Sequence, residues 1–262
     1  MPNERPLTAQ MAPVQLSFFS GQRNRVRAVA AMLTLSPVVF HLTRPGQVPP
    51  VAHVVGPAVV RQYDEGYYRL RLDSLRAAFG YRKHFPPAFE LPALLALSHY
   101  PELRNERIRF QTVPKAMPLV ASRPDPGNLF RGRPEWVYNI FISEEAPETL
   151  RHDLLKKFSF NAQVGILGHE LAHTRHYQDK SAWQMLVTGV RYLLSDAYRA
   201  RFELDTDRDA IAHGLGWQVH AYALHYRRNP RLSRPEIAAI DRYYLPPAAV
   251  LAHMRQLSAK KL

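Results

Sequence analysis

"VGILGHELAHTRHY", residues 164–177, decides how the chain is read. His169 and His173 stand four apart with Glu170 beside the first. An α-helix turns about 100° per residue, so positions four apart lie about 40° from each other on its surface. Both imidazoles can then face one ion. Glu170 sits on the flank, where it can hold a water without coordinating. Val164, Leu167 and Leu171 form an apolar stripe on the opposite side, so the helix has a core-facing back and a histidine front. Gly165 and Gly168 lower helix propensity, and close approach of another backbone would account for them.

Two histidines hold zinc poorly on their own, because a catalytic zinc normally has three protein ligands and an open fourth position. Asp179 lies six residues after His173, where a metzincin places its third ligand. That arrangement needs Gly at position 176 to turn the chain back, and this chain has His176. "RFELDTDRDAIAHG", residues 201–214, is the better source. Glu203, Asp207, Ala210 and Gly214 fall at i, i+4, i+7 and i+11, one narrow stripe on a helix. Two carboxylates followed by small residues let that helix pack closely on the histidine helix. Glu203 would complete the ligand set. Asp207, one turn on, would accept the N–H of His169 and fix the tautomer that presents a lone pair to the metal. Arg201, Asp205, Arg208 and Asp209 have spacings for i,i+3 and i,i+4 pairs and read as a solvated charged face. His176 reads as a packing residue beside the site. His41, His53, His84, His99, His152 and His253 have no partner at metal spacing and read as structural or exposed.

Taken together, "GHELAH" and "ELDTDRDA" resemble the gluzincin metallopeptidases, whose zinc helix carries HExxH and whose next helix carries ExxxD. The form looks most like the branch that includes the prenyl-protein and heat-shock membrane peptidases, over about residues 160–216. The resemblance implies one zinc per chain held by His169, His173 and Glu203, with Glu170 as general base and Asp207 as orienter. It implies a peptidase, an endopeptidase, acting on protein or peptide substrates. It also implies an edge strand before the zinc helix that binds substrate by strand addition. Residues 117–123 and 135–143 both qualify. The oxyanion of the transition state needs a donor besides the metal, and His213, His220, Tyr222, His225 and Tyr226 are the downstream candidates. Thr206 stands where that branch has Ala or Ser, and the interval from His173 to Glu203 is 30 residues, shorter than usual there. The multiple membrane spans of the branch's best-known members are missing, which predicts a compact gluzincin.

Composition sets the outer limits. An apolar fraction of 46% with 22% charged residues in 262 suits a globular chain. There is no Cys, which excludes disulfides, thiolate zinc ligands and a cysteine nucleophile. Lys and Arg exceed Asp and Glu by 35 to 22, a net charge of +13 that favours acidic partners. The basic residues are scattered and no nucleic-acid module is recognisable, so nucleic acid is not an expected partner. The alternative to an enzyme is a non-catalytic metal-binding or scaffold protein that associates with polyanions through its basic surface. "RNRVRAVAAMLTLSPVVF", residues 23–40, places basic residues before an apolar run, the order of an export signal. It is too short to span a bilayer and contains Pro37. Membrane association through this segment, an exported chain and a cytoplasmic one all remain open.

Residues 1–60 are rich in Pro and read as an extension or leader, leaving 61–262 as the metallopeptidase-like domain. Residues 64–79 suggest strand passing into helix, and 91–103 a short apolar helix ended by Pro101. "RIRFQTV" (107–113) alternates like a half-buried strand, and "EWVYNIFIS" (135–143) is dense in β-branched and aromatic residues. "APETLRHDLLKKF" (146–158) reads as an amphipathic helix, and 181–216 as helical throughout with a break near Ser195. Residues 220–229, 233–244 and 246–257 complete the helices, with Ser233 as an N-cap and Pro235 in the first turn. Strands first and helices afterwards predict an α+β fold: a small antiparallel or mixed sheet on the zinc helix, then a mainly helical C-terminal half.

Overall fold

Residues 59–260 are described by the structure, a computed structural model. The 23–40 run and nearly all of the 1–60 extension lie outside the described residues. Asp64 opens the first helix, α1 (Glu65–Arg69), its carboxylate accepting the Tyr67 N–H at 2.8 Å. Helix α2 (Leu72–Phe79) follows at once. The strand expected in 64–79 is therefore absent. Tyr68, Leu72, Leu75 and Phe79, which pack on the core, are spaced i, i+4, i+7 and i+11, a helical stripe. Leu70, which suggested alternation, is 88% exposed.

A two-residue strand, β1 (Lys83–His84), was not anticipated. Helix α3 (Glu90–Leu97) is buried from Leu91 onward, and a short 3-10 turn begins at Pro101. Three strands come next: β2 (Arg107–Val113), β3 (Val120–Pro124) and β4 (Val137–Ser143). They form one mixed sheet in the order β1-β2-β4-β3. β1, β2 and β4 run parallel, while β3 is antiparallel to β4 with Ser122 opposite Ile140. Ile108 and Phe110 of β2 are buried and Arg109 is exposed, as period two requires.

Residues 146–158 do not form the amphipathic helix. Two 3-10 stretches stand there, Glu148–Asp153 and Leu155–Lys157. Asn229 explains part of this, since its amide donates to the Thr149 carbonyl at 3.1 Å and to the Asp153 carboxylate at 2.8 Å. Leu150, Leu154, Leu155 and Phe158 are still buried, so the apolar spacing was real and the backbone that delivers it is tighter.

The histidine helix is α4 (Phe160–Gln178), opened by Ser159, whose hydroxyl accepts the Ala162 N–H at 3.4 Å. A capping box of Ser181 and Gln184 starts α5 (Ala182–Leu194), and Ser195 breaks it from α6 (Asp196–Ala210). The helical path does not continue to residue 216. It passes through a π-type turn, Ile211–Leu215, where Gly214 has φ 91°. Gly214 thus serves the kink, not the packing stripe with Glu203. Helices α7 (Gly216–Arg227), α8 (Arg234–Asp241) and α9 (Pro247–Ala259) follow. The fold is α+β, with its C-terminal half mainly helical. Among the described residues no helix is long and apolar enough to cross a membrane.

α4 lies at the centre, against α3, α6, α7 and the edge strand β3. Its contact with α7 explains Gly165: a Cβ there would come within 2.2 Å of the Gln218 carbonyl oxygen. At Gly168 the neighbour is the Leu215 side chain, not backbone. Gly165→Ala is expected to force the two helices apart, an overpacking cost of about 1–3 kcal/mol. For a domain of this size that is a fall in Tm of roughly 2–4 °C per kcal/mol in a thermal melt. An unchanged Tm would mean that the helices do not approach this closely.

Candidate metal centre

His169 and His173 are both buried on α4, and Glu203 reaches them from α6. One oxygen, Glu203 Oε2, stands 3.1 Å from His169 Nε2 and 3.2 Å from His173 Nε2. Ligand atoms held tetrahedrally about 2.0–2.1 Å from one ion are about 3.3–3.4 Å apart. The three side chains are thus spaced as ligands of a single ion, and this buried group could hold a metal.

The far nitrogen of each ring is also engaged. His169 Nδ1–H donates to Asp207 Oδ1 at 2.8 Å. Asp207 is fully buried and held by two further donors, the Tyr222 hydroxyl on Oδ1 and the Leu245 N–H on Oδ2 at 2.8 Å. The Thr206 hydroxyl donates to the Phe202 carbonyl at 2.8 Å, which leaves its oxygen to accept His173 Nδ1–H at 3.2 Å. Both rings are therefore oriented by a bond at Nδ1, which leaves Nε2, the atom facing Glu203, to bind an ion once its proton is displaced. Thr206, a departure from the gluzincin pattern by sequence, has a structural use here.

Electrostatics follow from burial and proximity. Burial alone would push the Glu203 carboxyl up, but the two imidazoles reverse this and hold it well below the usual carboxylate range. Burial alone would lower His169, yet its bonds to Asp207 and Glu203 push it up to about 10. A metal ion entering such a site displaces protons, so its binding strengthens as pH rises. Glu170 is raised, chiefly by burial, against the attraction of both imidazoles and the Ser122 N–H. That N–H, from β3, donates to Glu170 Oε2 at 2.5 Å.

His176 does not join the cluster. It tilts against Phe202, its buried Nε2 has no hydrogen-bond partner, and burial pulls it down to about 4. Asp209 does not belong to the solvated face either. It pairs with Arg175 of α4 at 3.1 Å, while Arg208 and Arg201 pair with Asp205 at 2.7 and 3.7 Å. Of the five downstream donors, Tyr222 is bonded to Asp207 and His225 to the His152 carbonyl at 2.9 Å. His220 packs edge-on against Trp217. Tyr226 lies among Tyr222, Tyr244 and Phe158.

His213 is committed to another network, stacked on Tyr100 at 4.5 Å and bonded to Glu102 Oε1 at 2.9 Å and the Asp209 carbonyl at 2.8 Å. Burial would lower its pKa, and the Glu102 and Asp209 contacts raise it above the ordinary value. A raised histidine stabilises fully below its unfolded pKa of about 6.5, and the contribution is lost as pH climbs through the folded value. His213→Gln should therefore lower Tm more at pH 5.5 than at pH 9, as paired thermal melts would read. Equal losses at both would contradict the charged pairing.

A second cluster joins His152, Asp153 and His225. Their ligand atoms also lie close enough together to hold an ion, so His152 does have partners at metal spacing, contrary to the sequence reading. The His152 and His225 rings stack at 4.3 Å with 27° between planes. His225 Nε2–H is bonded to a carbonyl and Asp153 to Asn229, so these groups pin the 148–153 segment to α7.

Three residues near the centre went unread in the sequence: Ser122, Tyr192 and Tyr244. Tyr192 shares with Met185 and Thr188 an i, i+3, i+7 stripe on α5 that pointed inward, and this spacing could have found it. Tyr244, whose ring lies 5.6 Å from that of His169, was read as the end of a helix over 233–244, but α8 stops at Asp241 and Tyr244 lies in the connection to α9. No protein-family model, curated protein or solved structure matches the chain.

Proposed function

We propose that the chain is a zinc-dependent metallopeptidase of the gluzincin kind, an endopeptidase acting on protein or peptide substrates. The observation that carries this reading is the single oxygen of Glu203 lying 3.1 and 3.2 Å from the imidazole nitrogens of the HExxH pair. Two neutral nitrogens and one carboxylate, each with an orienting partner, make a donor set suited to catalytic zinc. Zinc bound there supplies Lewis acidity and lowers the pKa of a water toward about 7.

The chain's own residues do the rest. Glu170 takes a proton from the attacking water and passes it to the leaving amine. Burial raises its pKa above the ordinary carboxylate value, the direction that helps a base also release its proton. β4 is paired on both sides, by β2 and β3, so it has no free edge for substrate. β3 is the edge strand, and its Ser122 N–H points away from β4 to Glu170. A substrate strand added to β3 would thus lie beside the base. Tyr244, whose ring lies 5.6 Å from that of His169, joins the downstream candidates for the oxyanion donor.

The test is metal analysis together with turnover of casein or a peptide by wild type and Glu170→Gln. The reading expects about one zinc in both proteins and turnover in the wild type alone. Zinc without turnover in the wild type would favour the non-catalytic metal-binding alternative.

A further inference from the structure

We infer that Tyr192 is a positioning residue that keeps Glu203 a one-oxygen ligand, an inference that rests on the metal reading above. The two oxygens of Glu203 have different neighbours. Oε2 faces both imidazoles, whereas Oε1 accepts the hydroxyl hydrogen of Tyr192. A carboxylate with both oxygens free can rotate to chelate an ion with the pair. Chelation would occupy the position that a catalytic site keeps for water or substrate. The Tyr192 bond opposes this, because it draws charge toward Oε1 and fixes the plane of the carboxylate so that only Oε2 is presented.

Tyr192 arrives by the same hairpin that returns Glu203 to the histidines. Helix α5 packs on α6 with Met185 and Thr188 buried two turns and one turn before Tyr192. Trp183 and Leu194 face outward, 66% and 70% exposed. The Tyr192 ring meets Phe202 edge-on at 5.9 Å, and Phe202 stacks on His173 at 5.2 Å. Ring packing therefore fixes where the hydroxyl points. The 30-residue interval between His173 and Glu203 contains the whole of α5.

Cobalt(II) substitution tests this directly, since four-coordinate Co(II) absorbs strongly in the visible and five- or six-coordinate Co(II) weakly. Full-length protein stripped by chelator would be titrated with Co(II) chloride as wild type, Tyr192→Phe and Met185→Ala. Tyr192→Phe keeps the ring and removes only the donor. Its absorption is expected to fall several-fold, with Co(II) affinity about 10- to 100-fold weaker. Met185→Ala removes a buried contact from the same face without touching Glu203, and should keep the wild-type spectrum. An unchanged Tyr192→Phe spectrum, or an equal change in Met185→Ala, overturns the inference while leaving the metal reading intact. Failure of the wild type to take up Co(II) overturns both.

Discussion

Glu170→Gln is expected to bind zinc as tightly as the wild type and to hydrolyse peptide bonds about 10²–10⁴-fold more slowly, the usual contribution of a positioned general base. The substitution is nearly isosteric, and the amide oxygen can still accept the Ser122 N–H that anchors the carboxylate. What it removes is the capacity to take a proton. Glu170 makes no hydrogen bond to either imidazole, so the ligand set keeps its geometry. Zinc content and steady-state turnover, measured on the same preparation, separate the two effects. Wild-type turnover in Glu170→Gln would remove Glu170 from the chemistry.

Glu203→Gln is expected to have the opposite signature, losing the metal itself. Structural zinc sites gather about 10–16 kcal/mol from four ligands, so one ligand accounts for roughly 3–4 kcal/mol, or about 10²–10³-fold in affinity. The neutral amide keeps the side-chain volume between α4 and α6 but gives up the charge that balances a divalent ion. Zinc at about 1,000 times its Kd stabilises a folded protein by about 4 kcal/mol. Zinc should therefore raise the Tm of the wild type about three-fold or more as much as that of Glu203→Gln. Equal zinc shifts in both would place the third ligand elsewhere.

The site was more legible than the fold around it. His169, His173, Glu203 and Asp207 lie on two helices, and helical spacing converts directly into which side chains share a face. Spacing could not say how the helices approach each other. Gly165 hinted at close contact, and the partner is the α7 backbone at Gln218, which only the three-dimensional path reveals. Gly214 was misread for the same reason, since a small residue on a stripe and a glycine at positive φ look identical in sequence. Residues 64–79 mixed two periods, and Leu70 suggested alternation where Tyr68, Leu72, Leu75 and Phe79 spelled a helix. The 146–158 stretch kept its apolar spacing but lost its helix, with Asn229 bonded to its polar groups from 80 and 76 residues away. Ser122 and Tyr244 act through backbone position and loop placement, which leave no pattern in a single chain.

X-ray absorption at the zinc K-edge, on protein loaded with one equivalent of zinc, tests the central claim most directly. The account predicts two imidazole nitrogens and one carboxylate oxygen at about 2.0–2.1 Å, plus one exchangeable water oxygen. Glu203→Gln should lose this shell. A wild-type spectrum lacking imidazole scattering, or the same shell in Glu203→Gln, would contradict it.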